Sequence, residues 1–121
     1  MEFKQKQTIY LQIAESICEK IVQKTLPEEE KIPSIRGLAI DLQVNPNTVQ
    51  RTYEYLQHEG IIFTQRGLGY FVSKGALKKI KQTRKTKFLE KELPALFKNM
   101  LLLEIDSDTI IKKFNEFKNK P

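Results

Sequence analysis

The stretch that decides the fold is Ile32-Pro33-Ser34-Ile35-Arg36-Gly37-Leu38-Ala39, which is followed by Val44-Asn45-Pro46-Asn47-Thr48-Val49-Gln50-Arg51. Ser34 can cap a short helix, and Asn45 can cap the next, with Pro46 at the first helical position, where a missing N–H costs nothing. Gln43 and Val44 form the turn between them. This pattern predicts a helix-turn-helix whose second helix begins with hydrogen-bonding side chains, a form suited to reading base edges in the DNA major groove.

Apolar spacing predicts the helices and their inner faces. Isoleucines recur at every fourth position from Ile9 to Ile21, which predicts a first helix from Thr8, as N-cap, to Lys24. The inner face of the second helix is predicted to be Ile35, Leu38, Ala39 and Leu42. On the third helix the inward positions are Val49, Thr52 or Tyr53, and Leu56, and Gly60 ends the helix.

Two strand-like runs, 61–64 and 70–73, follow the third helix and are rich in β-branched and aromatic residues. The loop between them contains two glycines, which predicts a β-hairpin. Helix, helix-turn-helix and hairpin is the order of a winged helix. The fold class expected is therefore mostly α with a small β-hairpin wing, and residues 1–75 are assigned to the winged helix-turn-helix domain.

Residues 76–121 are predicted to form a short two-helix C-terminal dimerisation tail. Segment 78–87 contains six Lys and Arg residues and no acid. Such a run is usually a solvated helix face, with phosphate contact or a self-repelling flexible joint as the alternatives. An amphipathic stretch follows, in which Pro94 removes one helical hydrogen bond and predicts a kink. Asp106 is predicted to cap the last helix.

Composition excludes several classes of protein. Hydrophobic residues make up 40% and charged residues 30% of the 121, which is a globular composition. The longest apolar run, 100–103, is too short to cross a bilayer, and residues 1–7 lack the apolar core of a secretory signal, so a cytoplasmic protein without a membrane partner is expected. One cysteine and one histidine cannot build a metal site together, and no cofactor is expected.

The net charge of +6 is a weak argument for nucleic-acid binding because of where it lies. Residues 1–75 carry nine Lys and Arg against nine Asp and Glu, whereas residues 76–121 carry twelve against six. The part that contains the helix-turn-helix is therefore neutral. The DNA-binding prediction therefore rests on the helix-turn-helix motif and not on the net charge.

Landmarks within residues 8–73 match one family in order and spacing. They are Tyr10-Leu11-Gln12-Ile13, Ile32-Pro33-Ser34-Ile35-Arg36 with Leu38-Ala39, Val44-Asn45-Pro46-Asn47-Thr48-Val49, Tyr53, Leu56, Glu59-Gly60-Ile61 and Arg66-Gly67-Leu68-Gly69-Tyr70-Phe71-Val72. On these residues the chain resembles the GntR family of bacterial transcription regulators. Its short helical tail and its Asn-Pro-Asn-Thr-Val sequence resemble the YtrA-like subgroup. The resemblance implies a sequence-specific DNA-binding regulator, and a repressor is expected.

The chain departs from the family pattern at three places. Glu29 stands where the family usually has glycine, and Gly37 stands where glutamate would complete a capping box with Ser34. Early in the third helix, Pro46 and Gln50 occupy positions where better-known members carry arginine. The base preference of those members therefore cannot be transferred to this chain.

The candidate DNA-contacting residues are Ser34, Arg36, Asn47, Thr48, Gln50, Arg51, Arg66 and Gly67. The resemblance implies that Arg36 contacts a phosphate or a guanine edge, and that Arg66 and Gly67 form a wing tip reaching the minor groove or its rim. Gln50 can pair bidentately with adenine, and Arg51 can take guanine or phosphate. The alternative for Arg36 and Arg51, that they are ordinary solvated residues, is disfavoured. For Gly67, a role in the turn alone is weighed equally with a DNA contact.

A homodimer is expected because one copy offers few cationic contacts, while two copies double them and read an inverted-repeat operator. The candidate dimerisation residues are Phe88, Leu89, Phe97, Met100, Leu101, Ile110, Phe114 and Phe117. They form more apolar face than two isolated helices could bury on themselves, so the face is assigned mainly to a symmetric partner. Packing onto the chain's own winged helix is the alternative.

Other functions are weighed against this one. The alternative is a winged-helix module for protein–protein contact, without specific DNA binding. It is kept because the third helix, which would be the recognition helix that reads DNA bases, lacks the family's arginines. An enzyme is not expected, since the sequence has no paired acid–base cluster, no nucleophile with a histidine and no phosphate loop. The tail is too short to enclose a small-molecule effector, which, if one exists, would bind between subunits.

Overall fold

The computed structural model describes residues 8–121, and segment 1–7, considered above for a secretory signal, lies outside the described residues. The elements are α1 (Ile9–Val22), α2 (Ile35–Leu42), α3 (Pro46–His58), β1 (Ile62–Gln65), β2 (Gly69–Val72), α4 (Ala76–Lys87), a π-helical turn (Phe88–Glu92), α5 (Leu93–Leu102) and α6 (Ser107–Lys118). This order confirms the mostly helical fold with a two-stranded wing. Within residues 8–121, no helix is long and apolar enough to span a membrane.

The helix starts follow the predicted caps with one exception. Ser34 Oγ accepts a hydrogen bond from the Gly37 N–H at 3.0 Å, and Asn45 Oδ1 accepts from the Asn47 N–H at 2.8 Å. Thr8 is the N-cap residue of α1, but its side chain makes no capping bond, so that part of the prediction was wrong. Its backbone carbonyl accepts from the N–H groups of Leu11 and Gln12, each at 3.1 Å, so the N–H of Leu11, the third helical residue, is satisfied by the backbone.

The core lies between α1, α3 and the base of the wing. Its buried hydrophobic residues are Ile13, Ala14, Ile17, Ile21, Ile32, Ala39, Val49, Tyr53, Leu56, Ile61, Ile62, Val72, Ala76 and Ile80. On α3 both Thr52 and Tyr53 are buried, so the two inward candidates are both correct. Leu42 was predicted to face inward but is 46% exposed. It is the last residue of α2, and the next residue, Gln43, adopts a left-handed conformation that turns the chain away.

The wing is larger than a hairpin. β1 and β2 pair antiparallel, with Ile62 opposite Val72 and Gln65 opposite Gly69. Leu26-Pro27 and the acidic run Glu28-Glu29-Glu30 predict a solvated loop, whereas segment 28–32 runs along the other edge of β2. The Glu29 N–H donates to the Val72 carbonyl at 2.7 Å, and the Ile32 N–H donates to the Tyr70 carbonyl at 3.0 Å. Buried Ile32 anchors this pairing, which satisfies backbone groups that the free edge of β2 would otherwise expose.

Helix α4 begins inside the core of the winged helix. The Glu28 carboxylate accepts hydrogen bonds from the backbone N–H groups of Gly75 at 2.9 Å and Leu77 at 3.1 Å. Ala76 and Ile80, one turn apart, are buried. The first compact unit accordingly extends to Gln82, beyond the boundary at residue 75 expected from composition.

The second unit, 83–121, contains the end of α4, the π-helical turn, α5 and α6. Pro94 is the second residue of α5, directly after the π-helical turn, and such turns accommodate the loss of a regular helical hydrogen bond. The predicted cap of the last helix is confirmed, since Asp106 Oδ1 accepts from the Thr109 N–H at 2.9 Å and from its hydroxyl at 2.7 Å. These bonds hold the pKa of Asp106 below its usual range.

Candidate nucleic-acid interface

The start of α3 presents polar side chains because its other side is committed to the core. Val49, Thr52 and Leu56 are completely buried, and helical spacing then directs the intervening residues outward. The exposed residues of this side are Asn47, Gln50, Arg51 and Glu54, with Thr48 half-buried beside them. The N–H groups at a helix start add a partial positive charge to this surface. The structure thus brings four of the predicted DNA-contacting residues, from Asn47 to Arg51, onto one helix end.

Arg51 has a partner on another helix. Its guanidinium carbon lies 4.1 Å from the centroid of the Tyr10 ring, on the first turn of α1. This is a cation–π contact, in which the charge of the guanidinium is attracted to the face of the aromatic ring. Sequence analysis named Tyr10 only as a landmark of the family resemblance. No local pattern relates two residues 41 positions apart, so this contact was missed.

Gln50 is held by the next turn of its own helix. Its amide nitrogen donates to Glu54 Oε1 at 3.2 Å. Because a carboxylate can only accept, the amide must turn its nitrogen toward Glu54, which leaves one further N–H and the amide oxygen for a base. Adenine offers one acceptor and one donor in the major groove, which matches those two groups. The i, i+4 spacing of the pair was the sequence signal that could have identified Glu54.

Ser34 and Arg36 lie at the start of α2, which packs on α3. Ser34 Oγ is the N-cap acceptor described above, and Arg36 is exposed in the first turn. Tyr53 fixes this region to α3, because its hydroxyl donates to the Pro33 carbonyl at 2.8 Å and its ring packs edge-on against Tyr70 at 4.8 Å. Burial raises the pKa of Tyr53 to about 12, so its hydroxyl stays a donor. Tyr53 is a core residue, as predicted.

Arg66 and Gly67 lie at the tip of the wing, on an element separate from the helix-turn-helix. Both are exposed, and Gly67 has a φ of 78°, a conformation that glycine adopts without strain. A side chain at position 67 would meet open space, so glycine is favoured there by the backbone conformation and not by a lack of space. Leu68 beside it is also exposed, an apolar tip residue that sequence analysis did not single out.

The basic segment begins at the opposite end of α3. The Lys79 ammonium lies against Gly60, which follows the C-terminal end of that helix, where the dipole favours a cation. A helix of 13 residues is about 20 Å long, so Lys79 lies far from Asn47. Its position favours the solvated-face interpretation for the part of the segment within the first unit.

The predicted dimerisation residues remain largely uncovered in this chain. Met100 and Ile110 are half-buried, whereas the other six are exposed, up to 81% for Leu101 and 77% for Phe117. Leu102 and Leu103 are also exposed and were not among the predicted residues. Large apolar residues exposed in such number within one segment are typical of an interaction site.

Comparison with known proteins places these features in a family. The model described as "Bacterial regulatory proteins, gntR family" matches residues 9–72, more than half of the chain. The HTH-type transcriptional regulator YhcF of Bacillus subtilis is 36% identical, covering 96% of this chain and 94% of its own length. The HTH-type transcriptional repressor YtrA of the same organism is 36% identical, covering 82% of this chain and 70% of its own length.

Solved structures agree with the sequence relatives. The GntR-family regulator from Bacteroides thetaiotaomicron superposes with a TM-score of 0.80 at 43% identity, covering 91% of this chain and 96% of that one. The DNA-binding domain of AraR, solved in complex with operator ORR3, superposes with a TM-score of 0.56 at 25% identity, covering 60% of this chain and 88% of that domain.

Proposed function

Since the chain belongs to the GntR family of bacterial transcription regulators, we propose that it is a repressor that binds an inverted-repeat operator as a homodimer. The observation that carries the proposal is the exposed polar start of α3, held against the core of a winged helix-turn-helix. Two relatives support it: YtrA is a transcriptional repressor, and the AraR domain was solved on its operator.

Each exposed group has a contact that its chemistry suits. The start of α3 enters the major groove, where Gln50 reads adenine and Arg51 takes guanine or phosphate. The side chains of Asn47 and Thr48, near the positive end of the α3 dipole, hold a phosphate. Arg36 takes a second phosphate or a guanine edge.

The tip of the wing makes the remaining contact. Arg66 enters the narrow, negative minor groove or lies at its rim. Gly67 allows the backbone to approach closely there. Ser34 supports the interface through its cap of α2, and its hydroxyl retains a proton that can be donated to a phosphate.

The dimer follows from the number of cations and from the exposed apolar surface. Arg36, Arg51 and Arg66 are three cationic contacts per copy, which is few for a specific complex at physiological salt. The uncovered apolar residues of α5 and α6 supply a surface that a second copy can bury symmetrically. A symmetric pair of reading helices would then match an inverted repeat.

Alanine substitution tests the DNA contacts. The probe is the duplex that in-vitro selection with the wild-type protein enriches, and affinity is measured by fluorescence anisotropy. Arg36→Ala and Arg51→Ala should each weaken binding by about 1–3 kcal/mol, roughly 5- to 150-fold. Lys20→Ala is the matched control, because Lys20 is exposed and lies about 15 Å along α1 from Tyr10.

The outcomes separate the two candidate functions. Weakened binding by both arginine variants, with an unchanged unfolding midpoint and an unaffected Lys20→Ala variant, supports operator binding. Unchanged affinity in both would refute the assigned contacts. Failure of the wild-type protein to enrich any duplex would favour the protein–protein module.

Sedimentation equilibrium tests the dimer. The wild-type protein should sediment at twice the mass of one 14.2 kDa chain, and Phe117→Glu should shift it toward the monomer. Asn115→Glu is the control, since it also replaces a neutral, exposed residue of α6 with a carboxylate, two positions away, without removing apolar surface. A monomeric wild-type protein would contradict the proposal.

A further inference from the structure

Tyr10 is attached to α3 at the position next to Arg51. The buried Thr52 hydroxyl lies 2.9 Å from the Tyr10 carbonyl and 3.0 Å from the Thr48 carbonyl, so it joins the first turn of α1 to the recognition helix. The Tyr10 ring also packs edge-on against Tyr55, at 6.2 Å between centroids. Two anchors, one on the backbone and one on the ring, therefore hold Tyr10 relative to α3.

The contact with this ring constrains Arg51 without consuming its hydrogen-bonding groups. A cation–π contact requires no hydrogen-bond acceptor, so N–H donors of the Arg51 guanidinium remain available for DNA. An arginine side chain that moves freely on the protein surface loses conformational entropy when it binds DNA, whereas a side chain already held in place loses less. The geometry is thus compatible with Arg51 being prepared for a phosphate or a guanine before DNA arrives.

We propose that Tyr10 is a positioning residue for DNA recognition, whose ring holds the Arg51 guanidinium in the conformation that contacts DNA. This inference rests on the proposed function, because it requires Arg51 to touch the operator. It adds a residue of α1, outside the helix-turn-helix, to the determinants of affinity. The aromatic ring of Tyr10 positions Arg51, and the Tyr10 hydroxyl is not needed for this role.

A double-mutant cycle tests the proposal on the selected duplex. The variants are Tyr10→Phe, Tyr10→Leu, Arg51→Ala and the combination of Tyr10→Leu with Arg51→Ala. Tyr10→Phe keeps the ring and should bind within about twofold of wild type. Tyr10→Leu removes it and should bind roughly 2- to 10-fold more weakly, the range expected for a cation–π contact and its ordering effect.

The cycle separates positioning from a merely structural role. If Tyr10 acts through Arg51, then Tyr10→Leu causes no further loss once Arg51 is alanine. If Tyr10→Leu weakens binding equally in both backgrounds, the ring supports the fold alone and the inference is overturned, while the proposed function stands. Unchanged or tighter binding by Tyr10→Leu also overturns it. The contact between the Tyr10 ring and Arg51 would then have no effect on DNA binding, or would keep Arg51 away from DNA.

Salt dependence adds an independent readout. Tyr10→Leu keeps the charge at Arg51, so the slope of log affinity against log salt should stay near that of wild type. Arg51→Ala should reduce the slope by about one if its contact is a phosphate. Unchanged affinity of Arg51→Ala would instead refute the Arg51 contact in the proposed function, and the inference would fall with it.

Discussion

Replacing Tyr53 with phenylalanine removes the buried hydroxyl that joins the recognition helix to the segment leading into α2. Tyr53 is 1% exposed, and its hydroxyl donates to the Pro33 carbonyl at 2.8 Å. The cost of losing this bond should be that of an ordinary hydrogen bond, about 1 kcal/mol. For a domain of this size, that corresponds to a fall in Tm of roughly 4–8 °C.

The same hydroxyl predicts a pH dependence. Burial raises the pKa of Tyr53 to about 12 from an ordinary value of 10, so folding favours the neutral form. That contribution to stability is fully present below pH 10 and is lost as the pH rises from about 10 to about 12. Tyr53→Phe has no proton to lose there, so its stability should decline less over this interval.

Urea denaturation at pH 7 and at successive pH values up to about 11 measures both effects. Other titrating groups are common to the two proteins and cancel in the difference between them. The wild-type protein should be more stable by about 1 kcal/mol at pH 7, and the difference should shrink as the pH rises. Equal stability at pH 7, or a difference that stays constant with pH, would refute this role for the hydroxyl.

Three further predictions concern the winged helix. Glu29 has a φ of 69°, a left-handed conformation that is strained for any residue but glycine, so Glu29→Gly should raise the free energy of unfolding, measured in urea, by about 0.5–1 kcal/mol. A lower free energy of unfolding would contradict backbone strain at this position. Ile80→Ala should lower it by about 2–4 kcal/mol, because Ile80 is buried; a change as small as that of an exposed site, such as Ile111→Ala, would exclude α4 from the core. The N–H groups of Gly75 and Leu77 lower the pKa of Glu28, so its stabilising contribution is present above the ordinary pKa and is lost as the pH falls. Glu28→Gln should therefore show a shallower loss of stability in acid-denaturation curves, and coincident curves would contradict the cap.

The parts of the fold that depend on local signals could be predicted from sequence. Ser34 and Asn45 cap the helices where expected, because a cap requires only a short polar side chain at a fixed offset. Helical spacing likewise identified the buried side of α3 and the exposed side at Gln50 and Arg51. Position 29 was recognised as a place where the family has glycine, and its left-handed backbone supplies the physical reason.

Features that depend on tertiary contacts could not be predicted in the same way. The acidic composition of segment 28–32 indicates a loop, whereas its backbone pairs with β2 and its first carboxylate caps α4. The contact between the Tyr10 ring and Arg51 requires α1 to cross α3 at one particular position along both helices. The extent of the core into α4 was missed for a related reason, since the lysines around Ile80 conceal two buried positions on one side of the helix.

In-vitro selection of random duplex DNA by the purified protein, at near-physiological salt, tests operator binding by two copies most directly. We predict the enrichment of one inverted repeat whose half-sites are about one helical turn, or a multiple of it, apart. The centre-to-centre spacing would then define the distance between the two reading helices. Enrichment of a single half-site without symmetry would contradict the dimer, and enrichment of no sequence would contradict specific DNA recognition by the protein on its own.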